Sequence, residues 1–263
     1  MLQDDFRLPR ARAATALALG LLMAGAPAWA AGTGLQAQPG WPLPIHDDTR
    51  YASLMLDRLE YRENDSEDVL LWDAQFWYGG DIDRLWIETE GEDVVSGGAG
   101  GELENFDVQF SHRFAPFWDL QAGLGYQRAY GSGSDKDRAS ALVGVQGLAP
   151  YWFEIDANLR LSEDGDLSAD LEAEYDWLLT QRLILQPRFE TSYAFDEVRE
   201  FGIGEGLNGV TAGLRLRYEI RREFAPYVGV TWFRRFGDSA NLARAGGADV
   251  DAAAVVAGVR FWW

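Results

Sequence analysis

The 263-residue chain lacks cysteine and has only two histidines and three methionines. Without cysteine there is no disulfide framework, no thiolate zinc site, no cysteine nucleophile and no cysteine-ligated iron–sulfur cluster. Two histidines also leave little for a histidine-rich metal site. These shortages exclude most of the metal and redox chemistry that depends on sulfur or imidazole ligands.

Basic charge is scarce as well. The chain has 23 Lys and Arg against 42 Asp and Glu, a formal net charge of −19. A nucleic-acid-binding protein presents a basic face, so that class is excluded. By contrast, 47% of the residues are hydrophobic and 13% are aromatic, which is too apolar for a disordered acidic chain. The rings must therefore be buried, either in a protein core or in lipid.

The N-terminus has the features of an export signal. Arginines at 7, 10 and 12 precede an apolar run over residues 13–26, and Ala28-Trp29-Ala30 is a small-x-small cleavage site. A first transmembrane helix is the alternative, but the run is shorter than the roughly 20 residues that a span needs. We predict a signal peptide over residues 1–30. Residues 31–50 are rich in Gly and Pro without periodicity, and we predict an extended periplasmic arm there.

From Tyr51 to Trp263 the hydrophobicity alternates with a period of two. In 153–161, for example, apolar side chains from Phe153 to Leu161 alternate with polar ones such as Asp156. This alternation is typical of a strand with one face in an apolar environment. It predicts twelve strands, at 51–62, 69–78, 82–92, 103–114, 118–129, 138–148, 152–161, 167–177, 182–194, 207–220, 225–235 and 252–263.

The predicted connections alternate in length. Short turns, such as 79–81 and 115–117, alternate with longer polar loops. An even number of strands with this alternation is typical of an outer-membrane barrel with both termini on the periplasmic side. We therefore predict that residues 51–263 form an all-β, 12-stranded antiparallel transmembrane β-barrel of the bacterial outer membrane. The longer loops are predicted at 63–68, 93–102, 130–137, 162–166, 195–206 and 236–251.

The two strand faces differ in chemistry. One is almost uniformly apolar and ends in aromatic residues, as expected for a lipid-facing band with aromatic girdles. A soluble lipocalin-like barrel would instead place its apolar residues inside and would rarely need twelve strands. The last strand alternates up to Trp263, which resembles the C-terminal signal recognised by the outer-membrane assembly machinery. We expect outer-membrane lipid and this machinery as partners.

The other face carries the charges and is predicted to line the lumen. Two interpretations are open: an ion-pair network that fills a narrow lumen, or a path that attracts cations, as rings of Asp and Glu do. Like charges packed together are costly unless water or arginines compensate. The predicted acidic wall comprises Glu88, Glu90, Asp107, Glu154, Asp156, Asp170, Glu172 and Glu174, ending near Asp176, and its predicted basic partners are Arg188, Arg215 and Arg217.

A candidate metal site precedes the first strand. His46, Asp47 and Asp48 offer imidazole and carboxylate ligands, and Met55 follows within the strand. With one thioether, such a set suits Cu(II) better than Cu(I). The alternative is a solvated linker leading into the barrel. The other histidine, His112, shares the parity of the apolar face, and we expect an interface anchor there rather than a lumen ligand.

Catalysis is not expected. Hydrolytic barrels need a base, most often His, beside a nucleophile. Ser111 is adjacent to His112, but neighbouring strand residues point to opposite faces and cannot form a dyad. A passive diffusion channel is a further alternative, although twelve strands leave a narrower lumen than the larger porins have.

Several sequence blocks resemble the copper resistance protein B family. They lie at 51–62 (YASLMLDRLEYR), 79–91 (GGDIDRLWIETEG), 146–154, 171–176, 179–187 and 213–229. The resemblance covers residues 46–263 and implies an outer-membrane barrel that binds or conducts copper ions between periplasm and exterior. It also implies a periplasmic multicopper oxidase as partner. Family members often carry an arm rich in Met and His, whereas residues 31–50 contain one His and no Met. The alternative is a narrow cation-preferring channel without copper selectivity.

Overall fold

The computed structural model describes residues 49–63, 68–96, 100–131 and 135–263. Most of them belong to one antiparallel sheet. The predicted metal ligands His46, Asp47 and Asp48, the signal peptide and the arm to residue 48 lie outside the described residues. The strands are β1 (Tyr51–Glu63), β2 (Asp68–Gly79), β3 (Asp83–Ser96), β4 (Gly100–Ala115), β5 (Trp118–Gly131), β6 (Lys136–Ala149), β7 (Phe153–Ser162), β8 (Leu167–Glu174), β9 (Trp177–Leu178), β10 (Leu183–Ala194), β11 (Gly206–Tyr218), β12 (Phe224–Arg235) and β13 (Asp251–Trp262).

The sheet closes into a barrel. Neighbouring strands pair in sequence order, and β13 returns to pair with β1, with Met55 opposite Trp262. The two-residue strand β9 continues β8 after a break at residues 175–176, and both pair with β10. They occupy one position in the barrel, so the predicted 12-stranded barrel is confirmed, with the eighth strand interrupted. None of the described helices combines the length and apolar character needed to span a membrane.

The alternation places polar side chains inside the barrel and apolar ones outside. On β4, Asp107 and Gln109 are at most 1% exposed, whereas Val108 and Phe110 are 37% and 57% exposed. This is the reverse of a soluble barrel and matches an apolar band in contact with lipid. Closure is required in that setting because a sheet edge in lipid would leave backbone groups without hydrogen bonds.

The strands extend further than the sequence predicted. Most of the expected loop at 93–102 is strand, because β3 ends at Ser96 and β4 begins at Gly100. Backbone pairing can continue through glycine and acidic residues, where the hydrophobic pattern has already faded. The marked difference in loop length lies in two connections, at 195–205 and 236–250. The second contains the helix α1 (Gly237–Gly246).

A β-bulge in β1 changes which side chains face inward. The register against β2 shifts between Leu56 and Arg58. The adjacent residues Asp57 and Arg58 are both buried inside the barrel, at 8% and 3% exposure. A strict period of two would have pointed Arg58 towards lipid. The extra residue of a bulge re-aims side chains in this way, and such bulges are frequent near functional sites.

A second β-bulge lies in β4. The register against β5 shifts between Leu103 and Phe106. Glu102 and Glu104 then line the lumen together with Asn105. Under strict alternation both carboxylates would share the outer face with Phe106. This bulge therefore turns two negative charges away from lipid.

The inner face of β5 and β6 has glycines where side chains from neighbouring strands approach the backbone. A Cβ atom added to Gly125 would lie 2.4 Å from Asp107 Oδ1, and one added to Gly144 would lie 2.0 Å from Asn158 Oδ1. A larger residue at either position would displace these side chains, so their present packing depends on glycine. Side chains from β4 and β7 cover this part of the wall.

Candidate functional site

The candidate site is the barrel interior, a cavity of about 950 Å³. Its lining runs from Phe117 and Asp119, at the end with the short turns, to Asp166 and Asp196, at the end with the long loops. In outer-membrane barrels the short turns face the periplasm and the longer loops face the exterior. The cavity therefore extends between the two mouths of the barrel, and charged side chains dominate its lining.

The predicted acidic wall lies inside the barrel. All its members except Asp107 line the cavity. Asp107 is fully buried beneath the cavity surface, where Arg160 binds it through contacts of 2.9 and 2.8 Å. Asp176, at the end of the wall, is held by Arg217. The inward orientation is thus seen for the whole predicted set, while its part in ion passage remains a prediction. The lining members are Glu88, Glu90, Glu154, Asp156, Asp170, Glu172 and Glu174.

The three predicted basic partners differ in what they contact. Arg188 binds two residues of the predicted acidic wall, Glu172 at 2.5 Å and Glu174 at 3.5 Å. Arg215 instead binds Glu60 through two hydrogen bonds of 2.7 and 3.1 Å. Sequence reasoning missed Glu60, which is buried inside the barrel and shares the parity of Arg62, a residue of the lumen lining.

The middle of the lumen contains a central network that sequence reasoning recognised only in part. Arg58 donates to Asp73 at 3.0 Å, to Glu190 at 3.1 Å and to Glu90. The inward positions of Asp73 and Glu190 follow from the period of two, so assigning a face to every residue of β2 and β10 would have found them. Arg58 and Asp57 could not be found together in that way, because the bulge places both inside. We call this the central network: Arg58 and Arg188 with Asp57, Asp73, Glu90, Glu172, Glu174 and Glu190.

Carboxylates without a basic partner lie on either side of the central network. Glu88 accepts hydrogen bonds from Trp86 and from Gln109, the latter at 3.1 Å, rather than from an arginine. Asp156 accepts one from Asn158 at 2.6 Å. Seven lining carboxylates have no basic side chain within 4.0 Å among the described residues: Glu88, Glu154 and Asp156 towards the periplasm, and Glu102, Glu104, Asp166 and Asp196 towards the exterior.

The described part of the predicted metal site is Met55. It lines the lumen, and its Sδ accepts a hydrogen bond from Arg260 Nη2 at 3.2 Å. Across residues 49–63, 68–96, 100–131 and 135–263, no group of three or more His, Cys, Asp or Glu is arranged to hold a metal ion. His112 lies on the outer face, with Nδ1 2.7 Å from Asp83 Oδ1, and points away from the lumen.

A closed barrel with an apolar outer band and a charged interior is an integral β-barrel protein of the bacterial outer membrane. The family model for the copper resistance protein B precursor matches residues 50–263. The chain belongs to the copper resistance protein B family, and the resemblance seen in its sequence blocks is confirmed. Membership connects the protein with copper resistance.

Known relatives agree with this assignment. The chain is 39% identical over 221 residues to copper resistance protein B of Escherichia coli, covering 83% of this chain and 72% of the relative. It is 38% identical, with the same coverage, to the copper resistance protein B homolog of Pseudomonas syringae pv. tomato. The structure of the NanC porin superposes with a TM-score of 0.51 at 11% identity, covering 80% of this chain and 99% of the porin. That likeness concerns the fold alone.

Proposed function

We propose that the protein takes part in copper homeostasis by conducting or binding copper ions between the periplasm and the exterior. The observation that supports this most directly is the barrel cavity, whose lining carries carboxylates from the periplasmic to the extracellular end, in a chain of the copper resistance protein B family. Acidic linings favour cations over anions. Copper is cargo in this proposal, and the barrel needs no catalytic residue.

Carboxylates alone do not explain a preference for copper. Oxygen ligands hold divalent ions with little selectivity, whereas imidazole and thioether ligands favour copper. Among the described lining residues, Met55 supplies the one sulfur atom, and Arg260 already contacts it. We therefore assign copper capture to the arm, with His46, Asp47 and Asp48 as ligands, and passage to the lumen. Capture by the arm then precedes passage through the lumen.

A narrow cation-preferring channel without copper selectivity is the second candidate. The seven lining carboxylates without a basic partner favour it, since they attract any small cation. Unlike the first proposal, it does not require the arm to bind copper. Binding to the arm and passage through the lumen are therefore tested separately.

Two protein partners complete the proposal. A periplasmic multicopper oxidase would act on copper at the periplasmic side, as the family resemblance implies. The outer-membrane assembly machinery would recognise the last strand, which ends in an aromatic side chain that is 82% exposed at Trp263. The backbone of Trp263 forms two hydrogen bonds of 2.8 Å with the backbone of Leu54, which helps to close the barrel. The exposed ring remains accessible to the machinery.

Removal of residues 31–50 is expected to abolish Cu(II) binding by the refolded protein above the level of an unrelated acidic barrel. Equilibrium dialysis of both forms against Cu(II) measures the stoichiometry and affinity. Ala in place of His46 should reproduce most of the loss, because an imidazole is the strongest copper ligand in the set. Ala in place of His112, on the outer face, is the matched control and should bind as the parent does. Equal binding with and without the arm would reject the arm as the copper site.

Glu172→Gln combined with Glu174→Gln is expected to lower cation flux through liposomes by roughly two- to tenfold, because local cation concentration falls with the lumen charge. The matched control is Glu163→Gln with Asp164→Asn, in the turn between β7 and β8, the strand that carries Glu172 and Glu174. It removes two negative charges outside the lumen. Unchanged flux in the lumen variant would mean that the network only packs the interior.

A further inference from the structure

Two arginines reach across the lumen rather than along its wall. Arg58 projects from β1, and its Nη1 lies 3.1 Å from Glu190 on β10. Strands β11, β12 and β13 separate β1 from β10 along the barrel wall. The same guanidinium also binds Glu90 on β3, on the other side of β1. One side chain thus links three parts of the barrel circumference through the interior.

Arg188 makes the reciprocal crossing from β10. Its Nη1 lies 3.3 Å from Asp57 on β1 and its Nη2 lies 3.2 Å from Asp73 on β2. Asp73 and Glu190 each contact both guanidiniums. The two arginines therefore belong to one connected network. They are 3% and 7% exposed, which leaves little free space beside them.

The other inward arginines are held differently. Arg215 is bound by Glu60, and neither residue lines the cavity. Arg160 is bound by Asp107, which is buried behind the cavity surface. The carboxylates of these two pairs lie outside the cavity lining. All the carboxylates that Arg58 and Arg188 bind, by contrast, line the cavity.

The carboxylates along the lumen therefore differ in whether an arginine binds them. An entering cation meets the unneutralised Glu102 and Glu104 on the extracellular side, or Glu88, Glu154 and Asp156 on the periplasmic side. Between them stand two permanent positive charges, since arginine does not lose its proton in proteins. The carboxylates at that level already accept bonds from these arginines and are less available to an ion.

We propose that Arg58 and Arg188 limit ion passage through the lumen by bridging its opposite walls, so that the central network forms a constriction between two acidic vestibules. The inference deepens the proposed passage of cations and rests on ions entering the lumen. Small inorganic cations collect at both ends and cross only when a guanidinium leaves its carboxylates. The bulge at Asp57 and Arg58 is the local feature that builds the constriction, because it aims an extra charged side chain inward.

The test is the K⁺ conductance and the reversal potential of the full barrel in planar bilayers with a KCl gradient. Arg58→Gln with Arg188→Gln is expected to raise K⁺ conductance by roughly tenfold and to shift selectivity further towards cations. Roughly tenfold is the lower end of the range by which a charged lining of one sign raises the local concentration of counter-ions. The matched control, Arg199→Gln with Arg222→Gln, removes two positive charges from connections where these side chains are 76% and 78% exposed. It should conduct as the parent does.

A second variant covers the case in which the double glutamine protein does not fold. Arg58→Lys with Arg188→Lys keeps both charges, but an ammonium cannot bridge several carboxylates as a planar guanidinium does. Its K⁺ conductance should lie between those of the parent and the glutamine variant. Unchanged conductance in the folded variants would overturn the constriction, whether or not the parent conducts. The test also distinguishes this inference from the copper proposal. A parent protein without copper preference would reject the copper proposal, but the effect of the arginines on K⁺ conductance would still stand.

Discussion

Arg215→Ala is expected to destabilise the folded barrel by about 3–5 kcal/mol, because it leaves a buried carboxylate without its partner. Glu60 is 0% exposed and both of its oxygens accept from Arg215, at 2.7 and 3.1 Å. The pair joins β1 to β11 across the interior. Urea unfolding in lipid vesicles, followed by the fluorescence of the 11 tryptophans, measures the free energy of unfolding.

Two further variants sharpen this prediction. Glu60→Gln with Arg215→Met removes both charges and should recover most of the lost free energy of unfolding. The destabilisation by Arg215→Ala arises mainly because one buried charge is left unpaired, and the double variant leaves none. Arg199→Ala breaks a pair with Glu197 in which the arginine is 76% exposed, and should cost less than about 1 kcal/mol. An effect of Arg215→Ala no larger than that of Arg199→Ala would show that water already solvates Glu60.

Val228→Arg is expected to cost about 2–4 kcal/mol, the penalty for a cation at the middle of a lipid-facing strand. Val228 lies on β12 between Phe224 and Trp232 of the same face and is 58% exposed. In an aqueous setting an arginine at so exposed a position would cost almost nothing. The size of the penalty therefore reports what surrounds the barrel. The free energy of unfolding in vesicles is again the measurement.

The control lies in the adjoining connection. Ile220, between β11 and β12, is 52% exposed, and arginine there should cost about 0–1 kcal/mol because it reaches the interface. Equal costs at the two positions would contradict an apolar band of limited height. A penalty at Val228 alone would support both the band and its orientation relative to the periplasmic turns.

The low histidine and methionine content has a precise consequence for function. The lumen provides oxygen ligands, and the arm provides one imidazole. In the proposed passage of copper, selectivity is then decided before an ion enters the lumen. In the same proposal the central network adds a second control, on passage rather than on capture. Copper binding and K⁺ conductance therefore report separate steps and can fail independently.

Much of the fold could be predicted from residue order alone. The period of two identified all twelve strand positions, and the chemistry of the two faces placed the charges inside, because lipid tolerates only one of the two arrangements. Every predicted carboxylate of the acidic wall faces inward. Strand ends were less predictable: the loop at 93–102 proved to be mostly strand, since backbone pairing does not depend on hydrophobic side chains.

Alternation along a strand determined the class of protein, its membrane and the inward set of charges, because these depend on local side-chain direction. Tertiary structure alone decided the partners. Arg215 was predicted to neutralise the acidic wall and instead binds Glu60, a residue 155 positions away in sequence. Arg58 faces inward only because a bulge adds one residue to β1, and it meets Glu190 only because the sheet closes. Pairing across a lumen depends on barrel register and closure, and a period of two contains no information about either.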